Sequence, residues 1–151
     1  MRAALRHPAA WWALLALGCL PWAWLLAQTL GDQLGPNPAE ALIRATGDWT
    51  LRSLCVVLAV SPLRTWLGWP ELLRFRRMLG LLVFGYASLH LLCYAWFDMG
   101  FDLSDTLQDL IKRPFIWLGF SAFVILLALA ATSFNRAVRW LGGRRWQLLH
   151  R

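Results

Sequence analysis

Residues 78–97 read MLGLLVFGYASLHLLCYAWF. Twenty residues without an Asp, Glu, Lys or Arg are enough to cross a hydrocarbon layer of about 30 Å as an α-helix. One imidazole, His90, stands near the middle of this stretch. A span with a single ionisable ring inside it decides the fold class, which is predicted to be an all-α membrane protein.

Working outward, Ala9–Leu30 and Pro114–Phe134 are also free of charge over 22 and 21 residues. A fourth stretch, about 49–67, is interrupted by Arg52 and Arg64. It spans only if both arginines snorkel to opposite interfaces. The reading is therefore a bundle of four transmembrane helices, about 9–30, 49–67, 78–97 and 114–134, in a single domain over residues 1–151.

The charge pattern agrees. The chain has 15 Lys and Arg against 8 Asp and Glu, a formal net charge of +7, with 59% hydrophobic and only 15% charged residues. Arg2 and Arg6, then Arg64, Arg74, Arg76 and Arg77, then Arg136, Arg139, Arg144, Arg145 and Arg151 fall in alternate segments. The segments between them hold Arg44, Lys112 and Arg113 against seven acidic residues, among them Asp48, Asp98, Asp105 and Asp109. Basic segments stay on the cytoplasmic side, so both termini are predicted cytoplasmic. The basic excess thus sorts the chain across a bilayer and is not a nucleic-acid surface. Trp11, Trp12, Trp49, Trp66, Trp69, Trp96, Trp117 and Trp140 fall near the span ends, where indole rings favour the headgroup region.

The outer segments are short. Residues 31–48 contain the turn cluster Gly35-Pro36-Asn37-Pro38 and read as a loop. In 102–113, Leu103, Leu107, Leu110 and Ile111 fall on one helical face, which predicts a short amphipathic helix on the membrane surface. Cys19, Cys55 and Cys93 have no metal-binding spacing and read as small buried apolar residues. No nucleotide loop or Ser/His/Asp set is present, so soluble-type catalysis is not expected.

His90 is the candidate for chemistry, because an ionisable group inside a bilayer is costly without a partner. Its helical neighbours Tyr86, Ala87, Cys93 and Tyr94 combine small and aromatic side chains beside the ring, a setting suited to haem as well as to simple packing. His150 closes Trp146-Gln-Leu-Leu-His150, and His7 has no apolar context. The arginine groups are explained by topology, or hold anionic membrane lipid or a flavin phosphate.

Several segments together resemble one family. They are Thr46-Gly47 with Ser61-Pro62-Leu63-Arg64, then Arg76-Arg77-Met78-Leu79-Gly80-Leu81 leading to Tyr86-Ala87-Ser88-Leu89-His90 and Tyr94. They continue with Lys112-Arg113-Pro114, Ala130-Ala131-Thr132-Ser133, and Leu141-Gly142 through Trp146-Gln147-Leu148-Leu149-His150. In order and spacing the chain resembles the haem-binding membrane subunits of the bacterial methionine sulfoxide repair system (the MsrQ or YedZ family), relatives of the ferric reductase transmembrane domains.

The resemblance implies a haem b protein of the bacterial inner membrane, with FMN as a second cofactor. It implies a non-catalytic electron-transfer role, taking electrons from quinol and passing them to a periplasmic molybdopterin enzyme that reduces methionine sulfoxide. By motif match, His90 and His150 fall on haem-ligand positions. The family has six spans and a further ligand histidine in the fifth.

Depth makes the same point. His90 lies roughly 18 Å from the inner face and His150 near that face, so one haem is not expected to take both as opposite ligands. The chain is accordingly expected to be a truncated or fragmentary form. The competing reading is a structural or small transport membrane protein without haem. Transport demands further polar groups at depth, and the spans offer few, such as Ser121, Thr132 and Ser133.

Overall fold

A computed structural model describes residues 5–150, apart from the side chains of residues 103, 105 and 110. Arg2 and Arg151, counted among the basic residues above, lie outside the described residues, as do the side chains that complete one face of segment 102–113. The described residues are helical throughout, with short turns and no strand. The chain forms two compact units, Met1–Phe101 and Asp102–Arg151.

The first unit is built from three long helices. Helix α1 is Pro8–Leu30, α2 is Pro38–Leu67 and α3 is Leu73–Cys93, the last preceded by a 3₁₀ turn, Pro70–Leu72, and continued by a π-helical turn, Tyr94–Asp98. Helix α1 starts where the His7 ring accepts the Ala9 N–H at 3.1 Å, and it continues through Pro21. That cap is a role for His7 that the sequence did not disclose.

Helix α2 begins eleven residues earlier than the expected second span, so the predicted loop 31–48 shrinks to 31–37. The cause is a cap. Asn37 Oδ1 accepts the Glu40 N–H, the Asn37 amide donates back to the Glu40 carboxylate, and Pro38 occupies the first turn. This reciprocal arrangement satisfies otherwise orphaned groups at a helix start. The Glu40–Arg44 ion pair at 2.7 Å then joins the first two turns. At the other end Gly68 adopts φ 61°, the left-handed geometry that closes a helix.

The three helices run alternately up and down. Arg6 pairs with Glu71 at 2.7 Å, and Arg74 donates to the carbonyls of Leu5 and Arg6, which ties the start of α1 to the start of α3. The basic segments flanking these two helices therefore share one end of the unit. Val83, Tyr86, Phe75 and Met78 of α3 lie in the core with Val60 of α2 and Leu25 of α1. Gly18 and Gly85 allow close approach: a Cβ on Gly85 would stand 2.7 Å from the Trp22 ring. Of the cysteines, Cys93 is buried as expected, Cys19 is partly covered, and Cys55 is exposed on the outer side of α2.

The second unit contains α4 (Leu103–Lys112), α5 (Pro114–Ala131), α6 (Asn135–Leu141) and α7 (Gly143–Leu149). The surface helix predicted for 102–113 is present as α4, with Ile111 exposed and Asp109 bonded to Arg113 at 2.9 Å. Helix α5 is apolar on every side, as a membrane helix must be. Gly142 at φ 76° separates α6 from α7.

Among the described residues, three helical stretches are long and apolar enough to cross a membrane: Pro8–Leu30, Pro70–Asp98 and Pro114–Ala131. They match the first, third and fourth expected spans. Helix α2 fails that test of composition, because its 30 residues include Glu40, Arg44, Asp48, Arg52 and Arg64. It nevertheless runs alongside α3 as that helix's principal packing partner.

Candidate functional site

The site is set by the crossing of α2 and α3. His90 Nδ1 lies 3.0 Å from the carbonyl oxygen of Ile43, which can only accept, so Nδ1 carries the proton. The Thr46 hydroxyl lies 3.3 Å from the same nitrogen and donates to the carbonyl of Leu42 at 2.7 Å. In the tautomer that this bond selects, Nε2 is the nitrogen that carries the lone pair. It meets no hydrogen-bonding partner among the described residues. A backbone carbonyl holding Nδ1–H is the arrangement that orients an imidazole to bind a metal through Nε2.

Gly47 makes this seat possible. A Cβ there would stand 3.1 Å from His90 Cε1, tighter than ordinary contact. Only a glycine leaves the ring this close to the helix. Thr46 is fully buried beside it. These two residues form the Thr46-Gly47 motif, and the structure supplies its physical reason.

The shell expected around His90 is only partly present. Tyr86 is buried: its hydroxyl donates to the Gly18 carbonyl at 2.8 Å, and its ring meets Trp22 edge-on at 5.0 Å and stacks on Trp49 at 6.5 Å. It is a packing residue between helices and not a free edge for a flat ligand. Trp49 lies with it inside the unit instead of marking a span end.

His150 lies in the second unit, just after α7. Its Nε2 is 2.9 Å from the Thr132 hydroxyl, which gives its own proton to the Ala128 carbonyl at 2.7 Å. Nε2–H is therefore the donor. Trp146 stacks on the ring at 4.4 Å and donates its indole N–H to the Thr132 carbonyl at 2.9 Å. The motifs Thr132-Ser133 and Trp146…His150 thus form one local assembly. His90 and His150 belong to separate units.

The ferric reductase like transmembrane component family matches residues 46–151. The protein-methionine-sulfoxide reductase heme-binding subunit MsrQ of Polaromonas naphthalenivorans is 60% identical over 97% of this chain and 67% of its own length. The chain belongs to the MsrQ family. Members with the same description from Herminiimonas arsenicoxydans and Azospira oryzae are 56% and 51% identical, over 87% and 92% of this chain. The chain spans 61% and 60% of those two MsrQ proteins. No solved structure matches it.

Both histidines and both threonine motifs lie inside the matched segment, whereas α1 lies outside it. Among the described residues no group of three or more His, Cys, Asp or Glu side chains could hold a bare metal ion.

Proposed function

We propose that this chain is the haem-anchoring part of an electron-transfer subunit, with haem b held by His90 through Nε2. The observation that carries the reading is the Nδ1–H bond from His90 to the Ile43 carbonyl, with Gly47 giving the ring room. Haem, when bound, supplies one-electron redox chemistry. The protein's own residues set the ring: Ile43 fixes the tautomer and Thr46 shares the Nδ1 proton.

His150 is the second candidate ligand. Its Nε2 is given to Thr132, so ligation through that atom requires the ring to leave this bond. In this reading the three long apolar stretches and the less apolar α2 all cross the inner membrane, both termini are cytoplasmic, and the acidic segments face outward. Electrons come from quinol and leave to a periplasmic molybdopterin subunit that reduces methionine sulfoxide. The arginine groups on the inner side take anionic lipid or the phosphate of FMN. The chain performs no substrate chemistry itself.

An optical spectrum tests this. Protein purified from haem-supplied membranes should show sharp b-type bands after dithionite, and His90→Ala should lose them. A folded but colourless wild-type protein overturns the reading.

A further inference from the structure

Thr46 reaches three groups at once. Its hydroxyl oxygen lies 2.7 Å from the Leu42 carbonyl, 3.0 Å from the Ile43 carbonyl and 3.3 Å from His90 Nδ1. The residue is fully buried, so bulk solvent does not compete for these contacts.

A threonine inside a helix ordinarily gives its proton to the carbonyl four residues back and needs nothing more. Thr50, one turn further along α2, is of this kind, donating to the Thr46 carbonyl at 2.8 Å. Leu42 already satisfies the Thr46 proton in the same way, so the approach to a ring nitrogen is additional. It recurs in the second unit. There the Thr132 hydroxyl lies 2.7 Å from the Ala128 carbonyl, 3.2 Å from the Leu129 carbonyl and 2.9 Å from His150 Nε2. The recurrence ties this contact to the two histidines and not to the local packing of α2.

One proton and two lone pairs allow the Thr46 hydroxyl two arrangements. With its proton on Leu42, a lone pair faces Nδ1–H, and the ring N–H is shared between the Ile43 carbonyl and Thr46. With its proton turned to Ile43, the hydroxyl draws on the carbonyl that holds the ring and weakens that hold. The Leu42 contact is the shorter, so the first arrangement is the resting one. Each acceptor on Nδ1–H pushes electron density through the ring to Nε2 and makes it a stronger ligand. A stronger ligand favours the more positive metal.

We infer that Thr46 is a positioning residue that sets the reduction potential of a haem held by His90. Its hydroxyl is the second acceptor for Nδ1–H and lowers that potential; on reduction, turning its proton from Leu42 to Ile43 eases the hold on the ring. No proton leaves either side chain, and the electron is the one that the proposed function already moves. The inference rests on that function for the haem, while the hydrogen bonds stand without it.

The test pairs Thr46→Val, which keeps the shape and deletes the hydroxyl, with Thr46→Ser, which keeps the hydroxyl. In a redox titration of the purified protein, Thr46→Val should shift the haem equilibrium towards reduction roughly fivefold, the size of one neutral hydrogen bond. That is about 40 mV upward at 59 mV per tenfold for one electron. Thr46→Ser should return the potential to its natural value. Thr46→Ala deletes the same hydroxyl with less bulk and stands in where the valine variant does not fold. In haem-free protein labelled with ¹⁵N-histidine, the Nδ1–H proton resonance of His90 should move upfield in Thr46→Val, as a weaker hydrogen bond requires, and keep its place in Thr46→Ser. Equal potentials in the natural protein and Thr46→Val, with haem bands intact in both, overturn the inference and leave the haem reading standing. A shift in Thr46→Ser as large as in Thr46→Val assigns the effect to packing and overturns it as well. A folded but colourless natural protein overturns both readings, so the two failures are told apart.

Discussion

His90 and His150 stand in matching surroundings and present opposite nitrogens. Each ring meets the hydroxyl of a threonine whose proton is already given to its own helix. At His90 the protein engages Nδ1 through the Ile43 carbonyl, and Nε2 is left with its lone pair. At His150 it engages Nε2 through Thr132, with Trp146 lying flat on the ring. Two motifs that look equivalent in sequence therefore differ in readiness. The first is set to ligate through Nε2; the second must give up a hydrogen bond first.

The largest expected effect separates the two. His90→Ala should remove nearly all reduced haem absorbance from purified protein, whereas His150→Ala should keep most of it; the reverse result breaks the comparison. Gly47→Val comes next. Its added carbons press on a ring that a Cβ alone would approach to 3.1 Å. Overpacking of this kind costs about 1–3 kcal/mol, so haem affinity should fall roughly five- to a hundredfold in a haem titration while the protein stays folded. Gly47→Ala should fall between Val and the natural residue.

The difference between these histidines was only partly legible in the sequence. Charge-free runs located α1, α3 and α5 to within a few residues, because a bilayer leaves few alternatives to a long apolar helix. Helix α2 was harder. Its first turns carry Glu40, Arg44 and Asp48, which read as loop, although Asn37-Pro38-Ala39-Glu40 is a helix-start signature that could have found it. The partners of His90 were out of reach, since Ile43 acts through its backbone and Thr46 and Gly47 matter only once α2 is docked on α3. Local sequence contained the His150 assembly more fully, because Thr132, Trp146 and His150 lie within one short segment of chain.

Thr132→Ala sharpens the comparison by releasing Nε2 of His150. A neutral hydrogen bond contributes about 1 kcal/mol, so carbethoxylation of His150 should speed up roughly fivefold, with His90 unchanged in the same sample. An equal change at both rings means that the modification reports general loosening and not the Thr132 bond.

The smallest expected effect concerns Tyr86, one turn from His90 on α3. Its hydroxyl bridges α3 to α1, whereas the His90 contact bridges α3 to α2. Tyr86→Phe keeps the ring between Trp22 and Trp49 and deletes only the bond to the Gly18 carbonyl. Interhelical hydrogen bonds in membrane proteins average about 0.6 kcal/mol and reach about 1.7, so unfolding in mixed micelles should become about threefold easier. The haem bands should not move, because the Ile43–His90 contact is made by another pair of helices. A band shift in Tyr86→Phe shows instead that α1 is coupled to the His90 seat through the core of α3, and that the contrast between the two histidines is set by the whole unit and not by one hydrogen bond.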